Sequence, residues 1–125
     1  MTLAAVLPRG AAAADIAWGN FKGSGHTCYG MLTITSRLIT WMTPYSFCRN
    51  SPYMIRNRRE GPDGISVTYL LKRQSAKCRF RVVVLSHGPE RDAGIGWDVI
   101  GYLSLGSAER GVLDENVITC SLYRY

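Results

Sequence analysis

Cysteine and arginine are the side chains with the most chemistry in this sequence. Cys28, Cys48, Cys78 and Cys120 are widely spaced, and no C-x-x-C occurs. That spacing suits neither a zinc ribbon nor a thioredoxin-type redox pair. An even number of cysteines, each in an apolar alternating stretch, predicts two structural disulfides. The arginines form a second group. Arg56, Arg58 and Arg59 stand together beside Glu60, and Arg79 and Arg81 follow. Guanidinium groups at this density suit bidentate recognition of carboxylates. Catalytic chemistry has less to work with. His26 and His87 fall in or beside glycine-containing stretches, outside any H-E-x-x-H motif and without a ligand at metal spacing. No G-x-S-x-G nucleophile elbow is present. Gly23-Ser24-Gly25 does not open a helix, so a phosphate loop is not indicated. No catalytic residue, metal or cofactor is expected.

The charge distribution points the same way. The chain has 125 residues, with 15 Lys and Arg against 9 Asp and Glu, a formal charge of +6. Between Arg49 and Arg81 stand nine basic residues, Arg49, Arg56, Arg58, Arg59, Lys72, Arg73, Lys77, Arg79 and Arg81, opposed by Glu60 and Asp63 alone. Acids gather towards the C-terminus at Glu90, Asp92, Asp98, Glu109, Asp114 and Glu115. Such polarity steers an acidic partner. Tyr53, Tyr69 and Phe80 interleave the basic stretch, as stacking platforms for nucleic acid would. They alternate with aliphatic residues at core positions, however, so no nucleic-acid partner is expected.

The elements that must carry these groups are short. Helical periodicity is nearly absent, and brief runs rich in β-branched and aromatic residues alternate with Gly, Pro, Ser and Asn. Strands are predicted at 16–21, 27–35, 38–42, 45–49, 52–57, 65–71, 78–85, 97–105 and 116–123. Residues 58–64 read as the clearest loop, since Gly-Pro and Asp-Gly are strong turn signals. Within 78–85, Cys78, Phe80, Val82 and Val84 are expected on the core face, with Arg79 and Arg81 outward. In the next strand, Trp97, Val99 and Leu103 are expected to share a face. Residues 106–111 can hold a helical turn or a bulge. The fold class is therefore all-β: a small antiparallel barrel or sandwich of about eight strands. No internal repeat is visible, and no apolar run reaches the roughly 18 residues of a membrane-spanning helix.

Residues 1–14 carry an apolar stretch and then an alanine run offering A-x-A cleavage registers, so they are expected to be the remnant of a signal peptide or a flexible arm. Residues 15–125 then form one domain in a secreted or periplasmic protein. In an up-and-down barrel the first and last strands are neighbours, which lets Cys28 meet Cys120 and leaves Cys48 for Cys78. The pairing of Cys28 with Cys48 and Cys78 with Cys120 stays open at this level.

The opening Ile16-Ala17-Trp18-Gly19-Asn20-Phe21, followed by a meander, resembles lipocalin-like barrels, in which a Trp near the N-terminus plugs one end. The G-x-W order of that family is not kept, because Trp18 follows Ile16-Ala17. The signal-like start, four cysteines and small β fold together resemble the small periplasmic inhibitor and immunity proteins of bacteria. Their S-G-x-x-Y motif is absent, so no functional residue carries over. The resemblance implies a module that binds another protein, blocking a toxin or lytic enzyme. The alternative is a carrier with an apolar interior. Residues 57–64 with Arg56, Arg79 and Arg81 form the expected contact with an acidic partner surface.

Overall fold

The computed structural model describes residues 17–89 and 92–125. The signal-peptide expectation for 1–14 lies outside them. The described residues form eight antiparallel strands in chain order, closed into a barrel. They are β1 (Gly19–Gly23), β2 (Gly30–Ile34), β3 (Leu38–Thr43), β4 (Ser46–Gly61), β5 (Gly64–Leu71), β6 (Val82–His87), β7 (Trp97–Tyr102) and β8 (Ile118–Arg124). Closure is made by β1 on β8, with Phe21 opposite Arg124 and Gly23 opposite Leu122. A helix, α1 (Leu105–Arg110), lies between β7 and β8. Ser104 caps its start by accepting the Ser107 amide, and Gly111 ends it in the left-handed region. No helix among the described residues is long and apolar enough to cross a membrane.

Alternation along the strands fills the barrel. Leu32 and Ile34 of β2, Ile39 and Trp41 of β3, Val67, Tyr69 and Leu71 of β5, and Cys120 and Leu122 of β8 all point inward and are buried. Aromatic rings occupy much of the axis: Trp41 stacks on Phe80 at 5.3 Å, and Phe21 meets Trp97 edge-on at 4.9 Å. At Gly101 of β7 the space is so fully used that a Cβ would stand 2.8 Å from ring carbons of both Phe80 and Trp41. The disulfides are Cys28–Cys120 and Cys48–Cys78, the pairing that neighbouring first and last strands favour. Both tie the lower mouth, where the β1–β2, β3–β4, β5–β6 and β7–β8 connections lie. The β2–β3, β4–β5 and β6–β7 turns form the upper mouth.

Three expectations need correction. Residues 45–57 are not two strands followed by a loop at 58–64. One strand of 16 residues, β4, runs through to Gly61 and turns at Pro62-Asp63 alone. Two bulges make this possible by absorbing residues that break the alternation. Opposite Thr40 the register slips at Arg49-Asn50, and Asn50 takes φ 43° while trading hydrogen bonds with the Thr40 hydroxyl. Opposite β5 the register slips again at Arg56. Gly64 then closes the hairpin at φ 119°, where any side chain would run into the His87 carbonyl.

The second correction concerns 78–85. The strand starts only at Val82, and its inward residues are Val83, Leu85 and His87. Cys78 and Phe80 do face the core, but the chain at 78–81 crosses the lower mouth as irregular backbone tied to Cys48. The parity set by Phe80 therefore does not carry into the strand, and Val82 and Val84 face the outer side. Thirdly, β7 ends at Tyr102. Gly101 follows Trp97 and Val99 inward, and Leu103 lies exposed beyond the strand. The short helical turn expected at 106–111 is α1.

Candidate protein-binding surface

The bulge at Arg56 decides where the hairpin's charges go. Below it, Tyr53 and Ile55 lie opposite Leu71 and Tyr69, on the inward side. Above it, Arg58 lies opposite Val67 and Glu60 opposite Ile65, so these two take up the inward side beyond the bulge. Asn57 and Arg59, opposite Thr68 and Ser66, take the outward side. Adjacent arginines thus part to opposite faces of one hairpin.

On the inward face the charge is used locally. Arg58 donates from Nε to Glu60 Oε2 at 2.7 Å. Glu60 also lines a shallow pocket at the upper mouth with Gly61, Gly64, Ile65 and His87. His87 is 9% exposed, and its ring sits 4.5 Å from that of Trp97. Its Nε2 has no hydrogen-bond partner among the described residues.

On the outward face the charge stays available. Arg56, Asn57 and Arg59 line a groove of about 400 Å³, with Ser66 and Thr68 of β5 on its floor and Tyr102 and α1 along its far wall. Leu105, Ala108 and Glu109 are the contributions of α1. The helix therefore builds the groove, and its cap at Ser104 holds that wall in place. Arg56 Nη2 stands 3.9 Å from Glu109 Oε2 with about half of each side chain exposed. A pair this long and this solvated contributes little. The Arg59 side chain makes no hydrogen bond or ion pair with a described residue, while its backbone lies in the ladder opposite Ser66.

Arg79 and Arg81 do not join this surface. Sequence reasoning placed them on an outward strand face beside the hairpin; the structure places them at the lower mouth, at the opposite end of the barrel. Arg79 donates its amide to Ser46 Oγ and lays its guanidinium over the Phe80 ring at 5.6 Å. Arg81 donates from Nε to the Leu71 carbonyl at 2.9 Å. The reason is strand direction: β6 runs from Val82 beside Leu70 to His87 beside Ile65, so residues 79–81, which precede it, lie at the end of the barrel away from the β4–β5 turn.

Ser66, Thr68, Tyr102 and Glu109 were missed as lining residues, and His87 as an inward group. The small polar outward positions of β5 carried a faint signal. His87 needed only the correct parity, two residues on from Leu85.

No protein-family model, no curated protein and no solved structure matches the chain.

Proposed function

We propose that this chain is an exported binding module that engages an acidic surface of another protein, as an inhibitor or immunity factor does. The observation that carries the reading is the outward face of the β4–β5 hairpin. There Arg56 and Arg59 border an open groove floored by hydroxyl groups, on a scaffold fixed by two disulfides. A rigid scaffold limits the ordering cost of association, and exposed guanidinium groups give speed and specificity to encounter with carboxylates. The packed interior supports recognition at the surface over carriage of an apolar ligand, because the space such a ligand needs holds Trp41, Phe80, Tyr69 and Trp97. The disulfides support the secreted or periplasmic assignment, since they persist in oxidising compartments.

The test uses Arg56→Glu/Arg59→Glu beside the wild type as bait for an envelope extract. Folding should change by no more than about 0.5 kcal/mol, because both positions are exposed. The wild type should retain a partner that the variant loses at low salt. With the purified partner, the variant should associate more slowly and with a flatter salt dependence. A variant that associates as fast as wild type at low salt overturns the reading.

A further inference from the structure

The outer wall of β1, β2 and β3 carries methionine and tyrosine in place of charge. Strand register sets Lys22 of β1 beside Met31 of β2, Met31 beside Met42 of β3, and Met42 beside Phe47 of β4. The adjoining residues Phe21, Leu32, Trp41 and Cys48 are buried in the core, so this row faces outward. Tyr125 lies over the start of the row. Its hydroxyl donates to Met31 Sδ at 3.9 Å, and the Lys22 ammonium stands 5.5 Å from the centre of its ring. Tyr29 precedes β2 and Tyr45 follows β3, so both stand at the lower end of the wall. Asn20, Thr33 and Thr40 pair across the strands as a polar row above it.

This wall is open. Tyr29, Tyr45 and Tyr125 are each more than half exposed, and Met42 more than a third. At about 150–250 Å² for a whole aromatic side chain, the three rings leave roughly 270–450 Å² uncovered. Met31, Met42, the Lys22 stem and the polar row bring the wall close to the ~800 Å² per partner of a standard interface. Tyrosine and methionine are enriched at such interfaces, and their centres are poor in charge. An acidic partner would find a single cation here, so the occupant differs from that of the Arg56–Arg59 groove.

A second copy of the chain fits the wall, and the position of Lys22 decides how. When two sheets pack face to face with two-fold symmetry, the axis lies in the plane between them, and the same patch serves both sides. An axis along the row would set Lys22 on Lys22. An axis along β2 sets Met31 on Met31 and Tyr29 near Tyr29. It carries Lys22 of each copy over Met42 of the other and brings Asn20 opposite Thr40. The cation then meets a polarisable side chain, and polar positions meet polar ones. Around the barrel, β2 lies four strands from β6, whose Val84 lines the cationic groove. The grooves of two such copies face away from each other.

We infer that this wall pairs with itself, making the chain a two-fold dimer about an axis along β2. The inference goes beyond the acid-binding reading and does not depend on it, and it leaves both grooves open to a partner.

Sedimentation of the wild type at about 100 µM should show the dimer, because interfaces of this size bind at micromolar concentrations or tighter. Met42→Lys sets like charges together twice across the axis. It should raise the dissociation constant at least about tenfold, a loss of about 1.4 kcal/mol. Met42→Glu should keep the dimer, because its carboxylate meets Lys22 of the other copy. Arg56→Glu/Arg59→Glu should stay dimeric. Under mild oxidation Met31→Cys should cross-link to a covalent dimer and Lys22→Cys should not. If either cysteine variant reshuffles its native disulfides, the two Met42 variants carry the test. A wild type that stays monomeric at about 100 µM overturns the inference and leaves the wall to a different partner. Equal loss in Met42→Lys and Met42→Glu, or cross-linking by Lys22→Cys alone, overturns the axis and the inference with it. Loss of the dimer in Arg56→Glu/Arg59→Glu overturns it too, because the contact then lies at the groove.

Discussion

Gly101→Ala tests whether the barrel is as full as the proposed role in surface recognition implies. Gly101 points inward from β7 between Val83 and Ile118, and its backbone is ordinary extended strand, so the cost of a methyl group is one of space alone. The added carbon would stand 2.8 Å from Phe80 Cγ, 2.8 Å from Trp41 Cζ3 and 2.9 Å from Phe80 Cδ1. Neither ring has an easy retreat. Trp41 sits in β3 opposite Cys48, Phe80 follows two residues after Cys78, and the Cys48–Cys78 bond joins the two supports. Overpacking of a filled core costs roughly 1–3 kcal/mol. For a domain of this size each kcal/mol lowers the melting temperature by about 4 °C, so the expected fall is about 4–12 °C. Thermal and urea melts followed by tryptophan fluorescence would measure it. Trp41→Phe removes one of the three crowding atoms, so the double variant should lose less than the sum of the two single losses. An unchanged midpoint for Gly101→Ala would refute the reasoning. The interior would then have room to give, and an internal ligand would become the better reading.

Two further outcomes follow from the fold. The Cys28–Cys120 bond closes 92 residues and Cys48–Cys78 closes 30, so chain entropy makes the first worth about 1 kcal/mol more, at about 4.6 against about 3.6 kcal/mol. Denaturant melts of the two double Cys→Ala variants should show that order; a larger loss for Cys48→Ala/Cys78→Ala would mean that holding Phe80 in place outweighs loop closure. Ser104→Ala should cost about 1 kcal/mol by removing the cap of α1. Its signature is faster amide exchange confined to residues 105–111, and an unchanged pattern would show that packing on β6 and β7 alone holds the helix.

Much of the barrel can be read from alternation. Leu32 and Ile34, Val67 and Tyr69, and Cys120 and Leu122 all lie on the faces that a period of two assigns, and the disulfide pairing follows from strand order once closure is assumed. The failures sit where alternation is interrupted. At 78–81 a disulfide and a buried ring keep the chain inward without strand pairing, so Phe80 gives a false parity for Val82 and Val84. At Asn50 and Arg56 an extra residue resets the phase inside a continuous strand. Local composition there reads as a break, because only the neighbouring strand reveals the pairing that spans it. Gly61-Pro62-Asp63-Gly64 marked the turn itself, but the arginines before it belong to the ladder.

The same resets explain why the cationic site was only half legible. A run such as Arg58-Arg59-Glu60 gives the amount of charge and not its direction. With one residue fewer before it, Arg58 would face the groove and Arg59 the mouth. The extra residue at Arg56 sends Arg59 outward to join Arg56, and sends Arg58 to the side where Glu60 meets it at 2.7 Å. The bulge therefore does two jobs with one insertion. It assembles a cationic face beside α1, and it commits the remaining arginine to a pair with Glu60 on the same strand. Arg79 and Arg81 had the right charge but precede β6 at its lower end, opposite the β4–β5 turn. What makes the hairpin a candidate site is thus the phase of its backbone, which charge counting alone does not reveal.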